Sequence, residues 1–171
     1  MKYFFSLLIV VSFLFSACNS NEKLAKEKCN SLVEEITKAD KENWTEQDFY
    51  TEINGLKVDR DRLISITESK ESIDKETIQD LQVFMDGFTT ISQQKKAFVS
   101  NIKARKKLLK RVAKLKHDMD KDLGKKETYF DKVKKEEINW KAISKEYKAF
   151  ENTVKELHKL FGSIRLNLIQ Q

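Results

Sequence analysis

A run of basic side chains without acids is the part of this sequence best suited to bind a charged partner. Residues 95–116 hold ten lysines and arginines and no aspartate or glutamate. Basic clusters on a helix bind the phosphates of lipid headgroups, lipopolysaccharide or nucleic acid. The candidate face for an anionic partner consists of seven residues: Lys103, Arg105, Lys106, Lys107, Lys110, Arg111 and Lys114.

The alternative is that these charges match the acids of a neighbouring helix. Residues 46–80 contain ten acids and five bases, and oppositely charged helices select their partner and register by such pairing. We expect internal pairing plus a solvated face, and we keep an anionic lipid or polysaccharide as the second interpretation. Nucleic acid is not expected, because no aromatic residue lies between Ile102 and Lys116 to stack on bases.

Three alternating aspartates, Asp118, Asp120 and Asp122, have the spacing of a calcium loop. Such a loop needs glycine at its sixth position and glutamate at its twelfth. Counted from Asp118, those positions hold Leu123 and Tyr129. We therefore expect a charged helix end and no calcium site.

Signatures of catalysis are missing from the sequence. It contains no G-x-S-x-G, no H-E-x-x-H and no glycine-rich phosphate loop, and its four glycines leave little room for tight catalytic turns. His117 and His158 have no cysteine or histidine at ligand spacing, which predicts solvent-exposed imidazoles and no zinc site. We expect a protein that is not an enzyme and that uses no cofactor or metal.

The first 18 residues combine a basic start, an apolar run and a cysteine. Lys2 precedes 13 mostly apolar residues, 3–15, and Ser16 and Ala17 lead into Cys18. A run of that length is too short to cross a hydrocarbon core of ~30 Å, which takes about 20 residues. The pattern resembles the signal peptide and lipobox of bacterial lipoproteins. The resemblance implies cleavage before Cys18 and acylation of that residue, with palmitate as one of the expected chains.

The resemblance also implies an address and a division of the chain. Residues 1–17 would be the signal peptide, 18–23 a lipidated tether and 24–171 a helical bundle domain. The mature protein would be anchored to a bacterial membrane, on the periplasmic or cell-surface side. Cys29 would then carry the remaining thiol, and its spacing from Ala25, Leu32 and Ile36 predicts a buried cysteine. A disulfide between two chains is the alternative.

Composition and periodicity predict an all-α fold. The chain has no proline, so little in it interrupts a helix. Helix starts are predicted at Thr45, Asp74 and Asn139, with the second helix ending near Glu68. Further helical segments are expected over about 23–40 and 127–134.

A spacing of three and four residues, apolar at ten of thirteen positions, runs from Leu81 through Leu109 and Lys116 to Leu123. This spacing favours one long central helix over 75–123, and a break near Asp86-Gly87 or Ser100-Asn101 is the alternative. A second seam is predicted from Trp140 to Leu168. We expect an elongated antiparallel helical bundle, with coiled-coil-like hairpins around the long central helix.

These observations favour a membrane-anchored, non-enzymatic lipoprotein of the cell envelope that acts as an interaction or scaffold module. Its expected partners are the membrane, through the lipid anchor, and a protein of the envelope. Two alternatives remain open. One is a periplasmic holdase-like chaperone, and the other is a binder of anionic envelope lipid or polymer through the basic 95–116 face.

Overall fold

A computed structural model describes the backbone of residues 2–121 and 127–170 and the side chains of 22–121 and 129–170. These residues form α1 (Lys2–Glu42), α2 (Glu46–Glu68), α3 (Lys75–Gln93), α4 (Lys95–Lys121) and α5 (Glu127–Gln170). No strand occurs in the described ranges. The helices pack through buried apolar faces, which confirms the predicted all-α helical bundle.

Two of the predicted helix starts are confirmed in atomic detail. The Thr45 hydroxyl accepts the Asp48 N–H at 3.2 Å, and the Asp48 carboxylate accepts the Thr45 N–H at 2.8 Å. This reciprocal capping box satisfies N–H groups that the first turn of α2 leaves unpaired. At α3, Asp74 caps by accepting the Thr77 N–H at 2.9 Å. α2 ends at Glu68, as predicted.

The prediction of one unbroken helix over 75–123 was wrong. α3 ends at Gln93 and α4 begins at Lys95, with Gln94 between them at φ −80° and ψ 4°. The Gln94 N–H bonds to the Ile91 carbonyl, one residue nearer than in an α-helix, which tightens the turn. The Phe98 N–H then bonds to the Gln94 carbonyl at 2.9 Å. The interruption is therefore a single residue with no glycine or proline to signal it.

The prediction of a separate helix starting at Asn139 was also wrong. α5 is continuous from Glu127 to Gln170, so the segment predicted over 127–134 is its first part. Asn139 caps nothing; its amide donates to the Glu136 carboxylate at 2.7 Å. No proline or glycine occurs before Gly162 in this helix, so nothing in the chain forces a stop there. The helix also continues through Gly162.

The described chain divides into two compact units, and α4 and α5 each contribute a segment to both. Unit 1 comprises Met1–Asn43 and Ala104–Ile143. Its core gathers side chains from α1, α4 and α5: Cys29, Leu32, Ile36, Leu108, Val112, Leu115 and Val133. Contacts of Lys26 with Asp120 and of Asp40 with Arg105 show that α1 and α4 run antiparallel.

Unit 2 comprises Trp44–Lys103 and Ser144–Gln171. Aromatic rings fill its centre, where Phe98 stacks on Phe49 at 4.1 Å between ring centroids and meets Phe150 edge-on at 5.5 Å. The predicted α5 seam is confirmed here, since six of its members are buried: Tyr147, Phe150, Val154, Leu157, Ile164 and Leu168. The aromatic side chains of this unit therefore serve as core.

Candidate anionic-partner face

The segment of α4 in unit 1 separates apolar from basic side chains. Leu108, Val112 and Leu115 recur at intervals of four and three residues and are buried in the unit 1 core. Because a helix repeats every 3.6 residues, the positions between them point away from that core. Those positions carry lysines, so packing of the apolar face directs the lysine ammonium groups outward.

Four exposed lysines form what we call the lysine row: Lys106, Lys107, Lys110 and Lys114. In the part of the chain whose side chains are described, no carboxylate lies within 4.0 Å of their ammonium groups. The nine residues from 106 to 114 rise by about 12 Å along the helix, so four positive charges line this short surface. The structure thus brings together four of the seven residues proposed from the sequence.

The same side of α4 continues past the row. His117 and Lys121 lie seven residues after Lys110 and Lys114, and both are exposed. A separation of seven residues returns to nearly the same side of a helix. The predicted exposure of His117 is confirmed. Lys121 was not among the residues predicted for this face, although its spacing of seven residues from Lys114 was a signal for it.

Arg105 does not belong to an exposed face, which corrects its place in the candidate site. Its side chain is 3% exposed, and its Nε donates to the Asp40 carboxylate at 3.0 Å. The residue falls among the buried positions of α4, where a guanidinium requires a carboxylate partner. Arg105 therefore holds α4 against α1 within unit 1.

Arg111 is committed to a bidentate contact within unit 1. Its Nε and an Nη each donate to the Glu136 carboxylate at 2.9 Å. The Arg111 hydrogen bonds lower the pKa of Glu136, and Glu136 in turn raises the pKa of Arg111. Because Glu136 neutralises its charge, Arg111 does not add to the positive charge of the adjacent lysine row.

Lys103 is exposed but belongs to unit 2, at the end of that unit's α4 segment.

The basic stretch 95–116 was expected to pair with the acids of residues 46–80, and the pairs described for its arginines differ from that expectation. Arg105 and Arg111 of that stretch pair with Asp40 and Glu136, and neither of these acids lies in α2. Lys95 approaches α2 through a ring, with its ammonium 4.2 Å from the centroid of Tyr50.

Asp118 and Asp120 lie in the last turn of α4, at a charged helix end. Asp120 accepts a hydrogen bond from Lys26 at 2.6 Å, and this contact lowers the pKa of Asp120. Asp122 and Leu123 lie outside the described residues. Among the side chains that are described, no group of three or more candidate ligands is placed to hold a metal ion.

His158 is less exposed to solvent than its spacing suggested. Its Nε2 lies 3.1 Å from the Glu52 carboxylate and its Nδ1 lies 3.5 Å from the Asp59 carboxylate, so it links α5 to α2 in unit 2. The sequence offered no signal for this contact, because the two acids are about a hundred residues away. With the ring 39% exposed, the cluster is a surface contact between helices.

The side chain of Cys18 lies outside the described residues, so its lipidation stays a prediction. No helix in the described ranges has the length and apolar character needed to cross a membrane. Comparison with known proteins gave no matching family, no matching curated protein and no matching solved structure.

Proposed function

We propose that this protein is a membrane-anchored, non-enzymatic lipoprotein of the bacterial cell envelope that acts as an interaction or scaffold module. The observation that carries the proposal is the sequence of residues 1–18, with Lys2, a short apolar run and two small residues before Cys18. Acylation there would leave both helical units outside the cytoplasm, tied to the bilayer. The exposed positive charge of α4 supports a binding role for the anchored helical units.

The experiment is replacement of Cys18 with alanine in cells of a bacterium that processes lipoproteins. We expect the wild-type protein to be membrane-bound, to lack residues 1–17 and to carry acyl chains on Cys18 by mass spectrometry. The variant should accumulate with its first 17 residues attached and without acyl chains. A wild-type membrane-bound product that keeps residues 1–17 would contradict the proposal.

Partner capture tests the scaffold role itself. Crosslinking of wild-type protein in intact cells, followed by mass spectrometry, should give one protein partner in a fixed ratio. Capture of many unfolded clients would favour the holdase-like alternative instead. The same crosslinking with a form that begins at Asn19 and is secreted by a fully cleaved signal peptide serves as the control, because a partner met on the membrane should be lost with the anchor.

A second candidate function is binding of an anionic lipid or polymer of the envelope. The specific observation in its favour is the lysine row, whose four ammonium groups have no carboxylate within ion-pairing distance among the described side chains. Like charges held side by side repel one another, and an external anion relieves that repulsion.

A further inference from the structure

We propose that the lysine row docks unit 1 on the anionic headgroups of the same membrane that holds the acylated Cys18. This inference rests on the proposed function, because it takes the lipid anchor as given. It adds that the anchored protein has a second membrane contact, made by α4. The contact is with lipid phosphates at the bilayer surface.

The position of the row relative to the anchor follows from one ion pair. Lys26 Nζ lies 2.6 Å from Asp120 Oδ1, which fixes residue 26 of α1 beside the last turn of α4. Lys26 is eight residues beyond Cys18. Eight residues cover about 12 Å as a helix and no more than about 28 Å when fully extended. The anchor therefore keeps Lys26 within about 28 Å of the bilayer, and the Lys121 end of the basic side of α4 within that reach plus the roughly 8–10 Å between packed helix axes.

The chemistry of the row fits headgroups and not the hydrocarbon interior. No large apolar side chain of α4 is exposed in its described range, because Leu108, Val112 and Leu115 fill the unit 1 core. An interfacial helix that inserts needs a free apolar face in addition to its lysines. A helix that offers only lysines binds through the negative potential of anionic lipids, within about one Debye length.

Adding a basic patch to a lipid anchor has a physical consequence. An acyl chain sets the distance from the membrane but leaves the orientation of the attached protein free. Each lysine near an anionic surface strengthens attachment by roughly five-fold. Four lysines on one side of one helix would thus fix which side of unit 1 faces the lipid.

The test uses the full mature lipidated protein inserted into vesicles of equimolar phosphatidylcholine and phosphatidylglycerol, or of phosphatidylcholine alone. Acetylation rates of individual lysines are followed by mass spectrometry. We expect Lys106 and Lys110 to be modified several-fold more slowly on the phosphatidylglycerol vesicles. The protection should disappear when salt is raised from about 0.05 M to about 0.5 M, because the Debye length falls below about 5 Å.

A matched pair of variants separates docking from net charge. Lys107→Gln/Lys114→Gln removes two charges of the row and leaves Lys106 and Lys110 as reporters. Lys134→Gln/Lys141→Gln removes two exposed charges, also seven residues apart, from α5 of the same unit. We expect the docking equilibrium to weaken by up to about thirty-fold in the first variant. The second variant should protect the reporters as wild type does.

Each contrary outcome identifies what failed. An acylated, vesicle-bound protein whose lysine row is equally reactive on both vesicle types would overturn the docking and leave the lipoprotein assignment intact. Protection by soluble polyphosphate, with none from phosphatidylglycerol, would overturn it in favour of an anionic polymer. An unacylated Cys18 in the membrane-bound protein would overturn the docking together with the proposed function.

Discussion

Arg105 of α4 and Asp40 of α1 form an ion pair at 3.0 Å, with the arginine side chain 3% exposed and the aspartate 28% exposed. The pair is the most deeply buried charge contact described in unit 1. Removing a charge from water is costly unless its partner stays in place, so the geometry of this pair constrains how α1 and α4 pack. The sequence analysis predicted Arg105 to be part of an exposed binding face. Its pairing with Asp40 instead holds the side chain inside unit 1.

The first prediction concerns the loss of one partner of that pair. Asp40→Asn leaves the Arg105 guanidinium buried against a neutral amide, so we expect the free energy of unfolding to fall by about 1.5–3 kcal/mol. Urea unfolding followed by circular dichroism measures the change. The control is Glu136→Gln, which removes the half-exposed contact of Arg111 and should cost about 0–1 kcal/mol. Equal losses in the two variants would show that burial of Arg105 contributes nothing.

A second prediction contrasts the glycines within helices of unit 2. A methyl group added at Gly87 would meet Leu157 Cδ2 at 2.7 Å, whereas one added at Gly55 or Gly162 would meet nothing within 4 Å. Glycine in a helix costs about 1 kcal/mol relative to alanine, so open sites gain from the substitution. At Gly87 that gain is set against overpacking, which costs typically about 1–3 kcal/mol because Leu157 is itself buried.

Gly87→Ala should therefore unfold at a lower urea concentration than wild type, and Gly55→Ala and Gly162→Ala at a higher one. Thermal melts of the three variants give an independent comparison. If Gly87→Ala stabilises the protein as much as the other two, α3 and α5 do not approach each other as closely as described.

Local chemistry was predictable from the sequence where a few adjacent residues decide the structure. The caps at Thr45 and Asp74 depend on side chains within three residues, and both were found as predicted. The core position of Cys29 followed from spacing along one helix, and it is confirmed. In each case the decisive neighbours are close in the chain.

The errors arose where packing between distant segments decides the outcome. Gln94 interrupts the predicted central helix with no glycine or proline nearby, and Asn139 has the chemistry of a cap but lies inside α5. The predicted seam passed through Leu109 and Lys116, whereas the fully packed residues are Leu108 and Leu115. A short-range pattern leaves that one-residue shift open, and contacts with α1 and α5 resolve it.

A third prediction follows from the lowered pKa of Glu136. The hydrogen bonds from Arg111 and Asn139 favour the ionised carboxylate, so its folded-state pKa lies below its ordinary value of 4.5. A group with a depressed folded pKa stabilises the fold above its unfolded pKa, and that contribution is lost as the pH falls through the folded pKa. We expect the stability gap between wild type and Glu136→Gln to be constant above about pH 5 and to close below pH 4.5.

Urea titrations at a series of pH values test this. The variant lacks the titrating group, so its own curve reports the contribution of the other carboxylates. A gap that is unchanged down to about pH 2 would show that Arg111 does not stabilise the charged form of Glu136.

The last prediction concerns Cys29, the thiol left free once Cys18 is acylated. Its side chain is fully buried and its Sγ lies 3.7 Å from the Val112 carbonyl of α4. Burial raises the pKa of the thiol, which outweighs the opposing effect of the nearby Lys116 charge. Because the thiolate is the reactive form, both the low access and the raised pKa slow its modification.

We therefore expect maleimide at about pH 8 to label native protein far more slowly than protein in concentrated urea, with labelling limited by opening of unit 1. The Val112→Ala variant keeps the carbonyl next to Sγ but removes two methyl groups from the core around Cys29, so it should label faster while remaining helical. A disulfide-linked dimer formed readily from native protein under mild oxidation would contradict the burial and favour a link between two chains. Rapid labelling of the native monomer would place Cys29 on the surface of α1 and remove it from the unit 1 core.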